Sequence, residues 1–583
     1  MKKNGKSVLA GIILCAMALS IFSGCSSGEK TASAAGGGNA SAGNSTAAQE
    51  VEVSIWNNDA LSPGVQKTPI ADEIAKKTGI RLNVVSGDAQ KFKVLLAGGD
   101  LPDIIFSNFS DQGVDINTLL RGGQLIALDD LLKEHGSNIT KNFPEALAYS
   151  KHFMSTDGKT YFLPIQVNKL NGQQKLTEKT GASVALYMRY DLYKKAGSPE
   201  LKTTDDYLNI LKKMQDENPK SLSGKKTYAI SGFSDWGLWM FTVPYEAAKG
   251  VWNYSYDMMY DMYNEKWMNT YYSDVFWDGV KLYNQAYNAG ILDPEMFTQK
   301  YDNYVEKLKD GATFVTYANW LKDTANTAYV AAGKNDIGVE IVPVGEMNYL
   351  CNIYAGDQPF GWGASYPLAI THGCKNPEKA MDLLNFTFSE EGSRLLQSGI
   401  EGVHWENVNG VPTMKQEYYD KSKADSNYLQ AQGFSYSKLA GLSSNQILSD
   451  GFPAGLTQTD AEKAKDATPI DKEFIKDVDP EASYAGQAVA SELEAGKFRT
   501  HTDSDLVPAL VKEPSDNTKK VTSTIDEYMK VALANVVMAK PGDFENQKQK
   551  VINEIKAKGY DDAAKEMTKL WENAKNEAAD FKY

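Results

Sequence analysis

The sequence is most informative first for what it lacks. Across 583 residues there is no H-E-x-x-H, no phosphate-cradling G-x-x-x-x-G-K-[ST] and no C-x-x-C, and the single G-x-S-x-G, at 24–28, falls in a Gly/Ser run behind an apolar stretch. Metallopeptidase, nucleotidase and dithiol chemistry therefore have no motif to stand on, and the G-x-S-x-G lacks the strand-to-helix setting that a serine nucleophile needs. The five histidines, His135, His152, His372, His404 and His501, are scattered rather than clustered, and each reads as a surface or hinge residue. Positive charge is in deficit: the formal net charge is -14. Nucleic acid and anionic lipid surfaces are poor partners for such a chain. No internal repeat is visible, as a repetitive adhesin would require. One chemistry stays open, because the paired carboxylates of a glycosidase are about 5 to 9.5 Å apart in space and leave no fixed spacing in sequence.

Long apolar runs are also scarce, and the one that exists stops early. Lys2, Lys3 and Lys6 precede an apolar stretch from about Val8 to Phe22, followed by Ser23, Gly24 and Cys25. The stretch is shorter than the roughly 20 residues a spanning helix needs. It has the anatomy of a secretory signal peptide, assigned to residues 1–24. The run "FSGC" resembles the lipobox of bacterial lipoproteins, with Phe22 where leucine is usual, and this resemblance implies that Cys25 is acylated and becomes the mature N-terminus. Two acyl chains anchor a protein that one chain cannot hold. Removing the signal, with three lysines and no acid, takes the formal charge to -17. Cys15 leaves with it, so only Cys351 and Cys374 remain as thiols or as a pair. Residues 25–50 are rich in Gly, Ala and Ser, the composition of a flexible tether.

Beyond the tether the chain reads as globular. With 42% hydrophobic residues it is long enough for at least two cores. In "VEVSIWNND", Val51, Val53 and Ile55 alternate with polar residues, which predicts a strand. "IADEIAKKTG" predicts a helix closed by Gly79. "IRLNVV" reads as a strand, "KFKVLLAGG" as a short helix and "PDIIFSN" as a strand. That order implies a parallel sheet with ligand-facing strand ends. At those ends stand Trp56, Asn57 and Asp59, and Ser107 and Asn108. Amides, hydroxyls and carboxylates hydrogen-bond sugar hydroxyls while an indole covers the apolar face of a pyranose. Trp56 also fits a plain core position.

The runs "LLAGGDLPDIIFSN", "GGQLIALDDLLKEHGSNI", "DGKTYFLPIQ", "YMRYDLYKKAG", "NAGILDPEMF" and "GWGASYPLAITHGCKNPEKAMDLLNF" together resemble the extracellular solute-binding proteins, family 1, in their long lipoprotein subgroup. The resemblance implies an α/β fold of two lobes, the periplasmic-binding-protein type II, with hinge crossovers and a helical C-terminal tail from about Val521. It further implies a monomeric receptor, lipid-anchored on the outer face of the membrane. Such a receptor closes over an oligosaccharide and delivers it unchanged to the permease subunits of an ABC importer. No catalytic residue and no cofactor are expected. A peptide or other solute, and a surface polysaccharide-degrading enzyme, are the alternatives. The first lobe is expected over 51–164 and 359–400, and the second over 165–358 and 401–583.

Within the aromatic-rich stretch 233–277, the resemblance places the "SDWGLW" loop toward the cleft, which nominates Asp235 and Trp236. Trp267 and Trp277 read as packing. "TFVTYANWL" is similar to a family strand that ends in an aromatic sugar platform, which nominates Asn319 and Trp320. Trp362 and Trp405 either line the cleft or pack the hinge. Some relatives carry a calcium loop, and "QDENPKSLSGKKTYAISG" is the nearest stretch here. Pro219, Lys220 and the missing closing acid argue against a cation that wants six to eight oxygens, so no metal is expected.

Overall fold

Order begins where the alternation begins. The computed structural model describes residues 50–57, 62–106, 116–165, 167, 184–254, 256–351, 367–425, 427–500, 507 and 510–580. The signal segment, Cys25 and the tether therefore lie outside the described residues, as do Asp59, Ser107, Asn108 and Trp362. Strand β1 (Val51–Trp56) is the middle of a five-stranded sheet, flanked in parallel by β3 (Ile80–Val85) and β4 (Ile104–Phe106). The short β2 (Gly64–Val65) pairs antiparallel with β3, and β11 (Leu368–Ile370) antiparallel with β4. The helices between the parallel strands are punctuated as the sequence predicts. Pro69–Thr78 starts at Thr68, whose side chain accepts the Ala71 N–H, and ends at Gly79 with φ 71°. Ala89–Gly98 starts at Asp88, which accepts the Lys91 N–H, and ends at Gly99.

The second lobe is built on three antiparallel strands in the order β10 (Val339–Ile341), β5 (Val184–Arg189), β9 (Val315–Ala318). Part of the stretch that reads only as aromatic-rich forms a meander, β6 (Val251–Tyr254), β7 (Met258–Asp261) and β8 (Lys266–Asn269). A hairpin of β12 (Trp405–Val408) and β13 (Val411–Met414) lies further along the chain.

One expected boundary is corrected. The second lobe was expected to take all of 401–583, yet Tyr436, Leu439, Ala440, Leu442, Leu448 and Ala454 share one core with Val53, Ile55 and Leu82 of the first sheet. The reason is local. Helix Glu390–Ser398 does not lead out of the lobe, because Ser393 Oγ accepts the Leu442 N–H at 3.2 Å and Ser398 Oγ accepts the Leu456 N–H at 2.8 Å. Gly441 lies so close to Phe388 that a Cβ there would meet its ring at 2.4 Å. The chain joins the second core only from Ile470, Phe474 and Ile475 onward.

The tail is helical as expected: Asp516–Val537, Phe544–Ala557 and Tyr560–Asp580. The last of these spans several environments. Tyr560 and Ala564 belong to the second core, Met567 and Trp571 pack on the meander, and Ala574 joins a cluster with Trp56 and Phe92. The Trp267 ring centroid is 3.9 Å from that of Trp571, and the Trp277 indole donates to the Tyr271 carbonyl, so both are packing residues. Cys351 and Cys374 are thiols, and burial pushes that of Cys374 up to about 12. No helix among the described residues is long and apolar enough to cross a membrane.

Candidate functional site

The second lobe assembles an aromatic surface from three separate stretches. Edge strand β9 runs directly into helix Asn319–Ala331, so Asn319 and Trp320 occupy its first turn. Asn319 Oδ1 accepts the Trp320 N–H at 2.8 Å, and Thr324 Oγ1 donates to the Trp320 carbonyl at 2.7 Å, which fixes the turn. Trp320 is half-buried, its base resting on the second core. The loop before helix Trp239–Thr242 is fastened by Ser234, whose N–H donates to the Gln299 carbonyl at 3.0 Å. Asp235 Oδ1 accepts the Tyr301 N–H at 2.8 Å at the start of helix Tyr301–Lys309. That bond lays Trp236 against Tyr301, with ring centroids 4.6 Å apart and planes within 14°.

Tyr301 is the piece that sequence reading missed, and it joins the two nominated tryptophans. Burial pushes the Tyr301 phenol upward, and the neighbouring Trp320 side chain works against the push. Beneath them Phe233 stacks on Trp239 (5.6 Å, 17°) and meets Tyr301 edge-on (5.1 Å, 87°). Trp236 keeps 45% of its surface exposed, an unusual state for an indole with nothing to hide it. The one signal that pointed to Tyr301 was "KYDNY", where Tyr301 and Tyr304 stand three apart on one helical face while Tyr304 is wholly buried. Of the nominated residues here, Trp236 and Trp320 supply surface, whereas Asp235 and Asn319 position them.

On the first lobe the described nominees are not surface. Trp56 is 0% and Asn57 1% exposed. Strand β1 is central, so its terminal indole packs on Phe92, 5.1 Å away, in a cluster that also takes in Ala574 of the C-terminal helix. Trp56 is thus corrected from wall to core. Trp405 also packs within the first lobe. Its indole donates to the Gly399 carbonyl at 3.0 Å, Arg394 lies over its ring at 5.8 Å, and it rests on Met414, Tyr419 and Leu456. The stretch nominated as the nearest calcium loop is otherwise engaged: Asp216 pairs with Lys212, and Ser221 and Ser223 donate to Asp310 at 2.6 Å each. His404 is wholly buried, with Nδ1 accepting the Ile400 N–H at 2.9 Å, and burial holds it below its ordinary value.

A cavity of about 480 Å³ opens along the helix that carries Trp320. Lys322 and Asp323, two and three residues beyond Trp320 on that helix, form one wall, and Tyr418 and Tyr419 form another. The volume is within the range of small-molecule sites.

A family model described as a bacterial extracellular solute-binding protein matches residues 69–399. The fructooligosaccharide ABC transporter substrate-binding protein FusA of Streptococcus pneumoniae serotype 4 (strain ATCC BAA-334 / TIGR4) is 26% identical over 292 residues, 49% of this chain and 52% of that protein. Lipoprotein LipO of Bacillus subtilis (strain 168) is 21% identical over 359 residues, covering 60% of this chain and 66% of LipO. The chain thus matches about half of the first relative's length and about two thirds of the second's. Among solved structures, the S. pneumoniae FusA EF-hand mutant in complex with fructo-nystose superposes with a TM-score of 0.61 at 16% identity, over 90% of this chain and 99% of that one. The alginate-binding protein AlgQ2 without calcium ion gives 0.55 at 16% identity, over 90% and 98%. These likenesses establish the type II fold.

Proposed function

This chain belongs to the bacterial extracellular solute-binding proteins, and from that premise we propose that it captures an oligosaccharide and hands it unchanged to the permease of an ABC importer. The observation that carries the reading is the Trp236–Tyr301–Trp320 surface. Three aromatic rings held by backbone and side-chain bonds offer flat apolar area with hydrogen-bonding edges, and that combination suits the C–H face and hydroxyl rim of a sugar ring. Among the relatives, one is a fructooligosaccharide receptor and another an alginate-binding protein, which agrees with a saccharide ligand. Asp59, Ser107, Asn108 and Trp362 are proposed as further contacts to the sugar. A ligand favours the closed form only through contacts the open form lacks, so both lobes must contribute. The receptor acts as a monomer, without chemistry, held at the outer face of the membrane by an acylated Cys25.

Thermal-shift screening of the chain from Gln49 onward, one compact unit, tests the reading against di- to hexasaccharides. A saccharide at 100 times its dissociation constant adds about 2.7 kcal/mol of stability. Stabilisation by peptides and by no saccharide would overturn the reading. For the anchor, Cys25→Ala should leave the protein in the soluble fraction, and retention with membranes would contradict it.

A further inference from the structure

The class of saccharide is legible in the charges around the aromatic surface, given the saccharide reading above. The cavity beside Trp320 is lined by the carboxylates of Asp323, Glu462, Asp466 and Asp471 and by only two ammonium groups, those of Lys322 and Lys463. Lys322 is already committed. Its Nζ lies 2.9 Å from Glu340, and 3.7 Å from both Asp471 and Asp323. Lys463 sits over the Tyr484 ring at 5.1 Å. Glu462 is answered by Lys465 at 2.9 Å and by the Tyr419 hydroxyl at 2.7 Å, and in the lining as a whole the four carboxylates outnumber the two ammonium groups. Asp323 stands three residues beyond Trp320 on one helix and is therefore its neighbour on the surface. Beside Tyr301, the exposed Lys300 and Asp302 balance each other.

Arginine, whose planar fork grips carboxylate, sulfate and phosphate in pairs of hydrogen bonds, is nearly absent. The whole chain has five. Arg81 pairs with Glu50 and Asp72, Arg189 with Asp191, and Arg394 with Asp450. Arg499 donates to Asn348 and to the Glu346 carbonyl. The fifth, Arg121, is at the end of helix Ile116–Arg121 in the first lobe. None lines the aromatic surface or its cavity among the described residues, and the sequence places none in 58–61, 107–115, 168–183, 352–366 or 501–506.

We infer that the site selects an uncharged oligosaccharide and discriminates against uronate-bearing, sulfated or phosphorylated ones. An anionic sugar entering here would leave water for a cavity of its own sign with no fork to receive it, and burying an unpaired charge is costly. Hydroxyls, by contrast, find acceptors in the aspartates.

Calorimetric titration at low salt tests the inference, with neutral gluco-, galacto-, manno- and fructo-oligosaccharides of two to six units run against oligouronates of the same lengths. The expected result is binding of at least one neutral series, with every oligouronate at least a hundredfold weaker. An oligouronate within tenfold of the best neutral ligand, or an oligouronate binding alone, would overturn the inference while leaving the saccharide reading intact. Heat from neither series would overturn the saccharide reading itself. Asp323→Lys should narrow the hundredfold gap at least fivefold, and an unchanged gap would remove the acidic lining as its cause.

Discussion

Two strands of this molecule lead into a tryptophan, and the two indoles meet opposite fates. β1 closes on Trp56, which is buried completely, whereas β9 gives way to Asn319 and Trp320, which stay half-open on a ring-built surface. The difference lies in position within each sheet. β1 has a parallel neighbour on either side, and Trp56 packs on Phe92 of the helix Ala89–Gly98, so it fills the layer between sheet and helices. β9 is an edge strand whose chain turns at once into a helix, so its first turn projects outward. A tryptophan at a strand end is therefore a ligand signal only where the sheet leaves its face uncovered.

The largest effect expected from this contrast falls on Trp56. Trp56→Ala should cost roughly 3 to 5 kcal/mol of stability, the range for removing a large buried aromatic, measured by denaturant unfolding. A loss under about 1 kcal/mol would break the assignment of Trp56 to the core. Trp236→Ala should do the reverse: its indole is nearly half exposed, so the melting temperature should move little while saccharide affinity falls about tenfold, or about 1.4 kcal/mol. A variant that melts early and binds normally would place Trp236 with Trp56.

A third prediction concerns the support under the platform. Glu246 lies in helix Pro244–Ala248, directly after the Trp239 helix, and is 1% exposed with both carboxyl oxygens lacking a partner among the described residues. Burial raises its carboxyl well above the ordinary 4.5. The folded chain thus holds this proton more tightly than the unfolded one. Its contribution is complete below pH 4.5 and is lost as pH rises toward the folded value, at about 1.4 kcal/mol per unit. Glu246→Gln should flatten the decline of stability between pH 5 and 7, and a slope identical to wild type would refute the point. The smallest effect belongs to Tyr301→Phe. Loss of the hydroxyl beside Trp320 should weaken saccharide binding two- to fivefold, about 0.5 to 1 kcal/mol, with stacking on Trp236 retained. Unchanged affinity would restrict Tyr301 to its ring.

The first sheet was readable because its pieces are local. Alternation in Val51–Trp56 and the capping pairs Thr68 with Gly79 and Asp88 with Gly99 each lie within a dozen residues. Trp236 and Trp320 were reached through resemblance, and their relation was not readable at all, since it runs through Tyr301 and the Asp235 bond, both products of tertiary packing. The lobe boundary failed for the same reason. Nothing in "GIEGVHW" says that Ser393 and Ser398 will hold residues 442–456 in the first core. The strands of the meander were hidden by aromatics that suit strand, helix and binding surface alike.

The most direct test of the platform is calorimetric titration of wild type and Trp320→Ala with the same oligosaccharide, each checked for an intact melting transition. The indole face should contribute a few kcal/mol through buried apolar area. The platform predicts that Trp320→Ala binds ten- to a hundredfold more weakly, or about 1.4 to 2.7 kcal/mol, with its fold preserved. Equal affinity in a folded Trp320→Ala protein would contradict it.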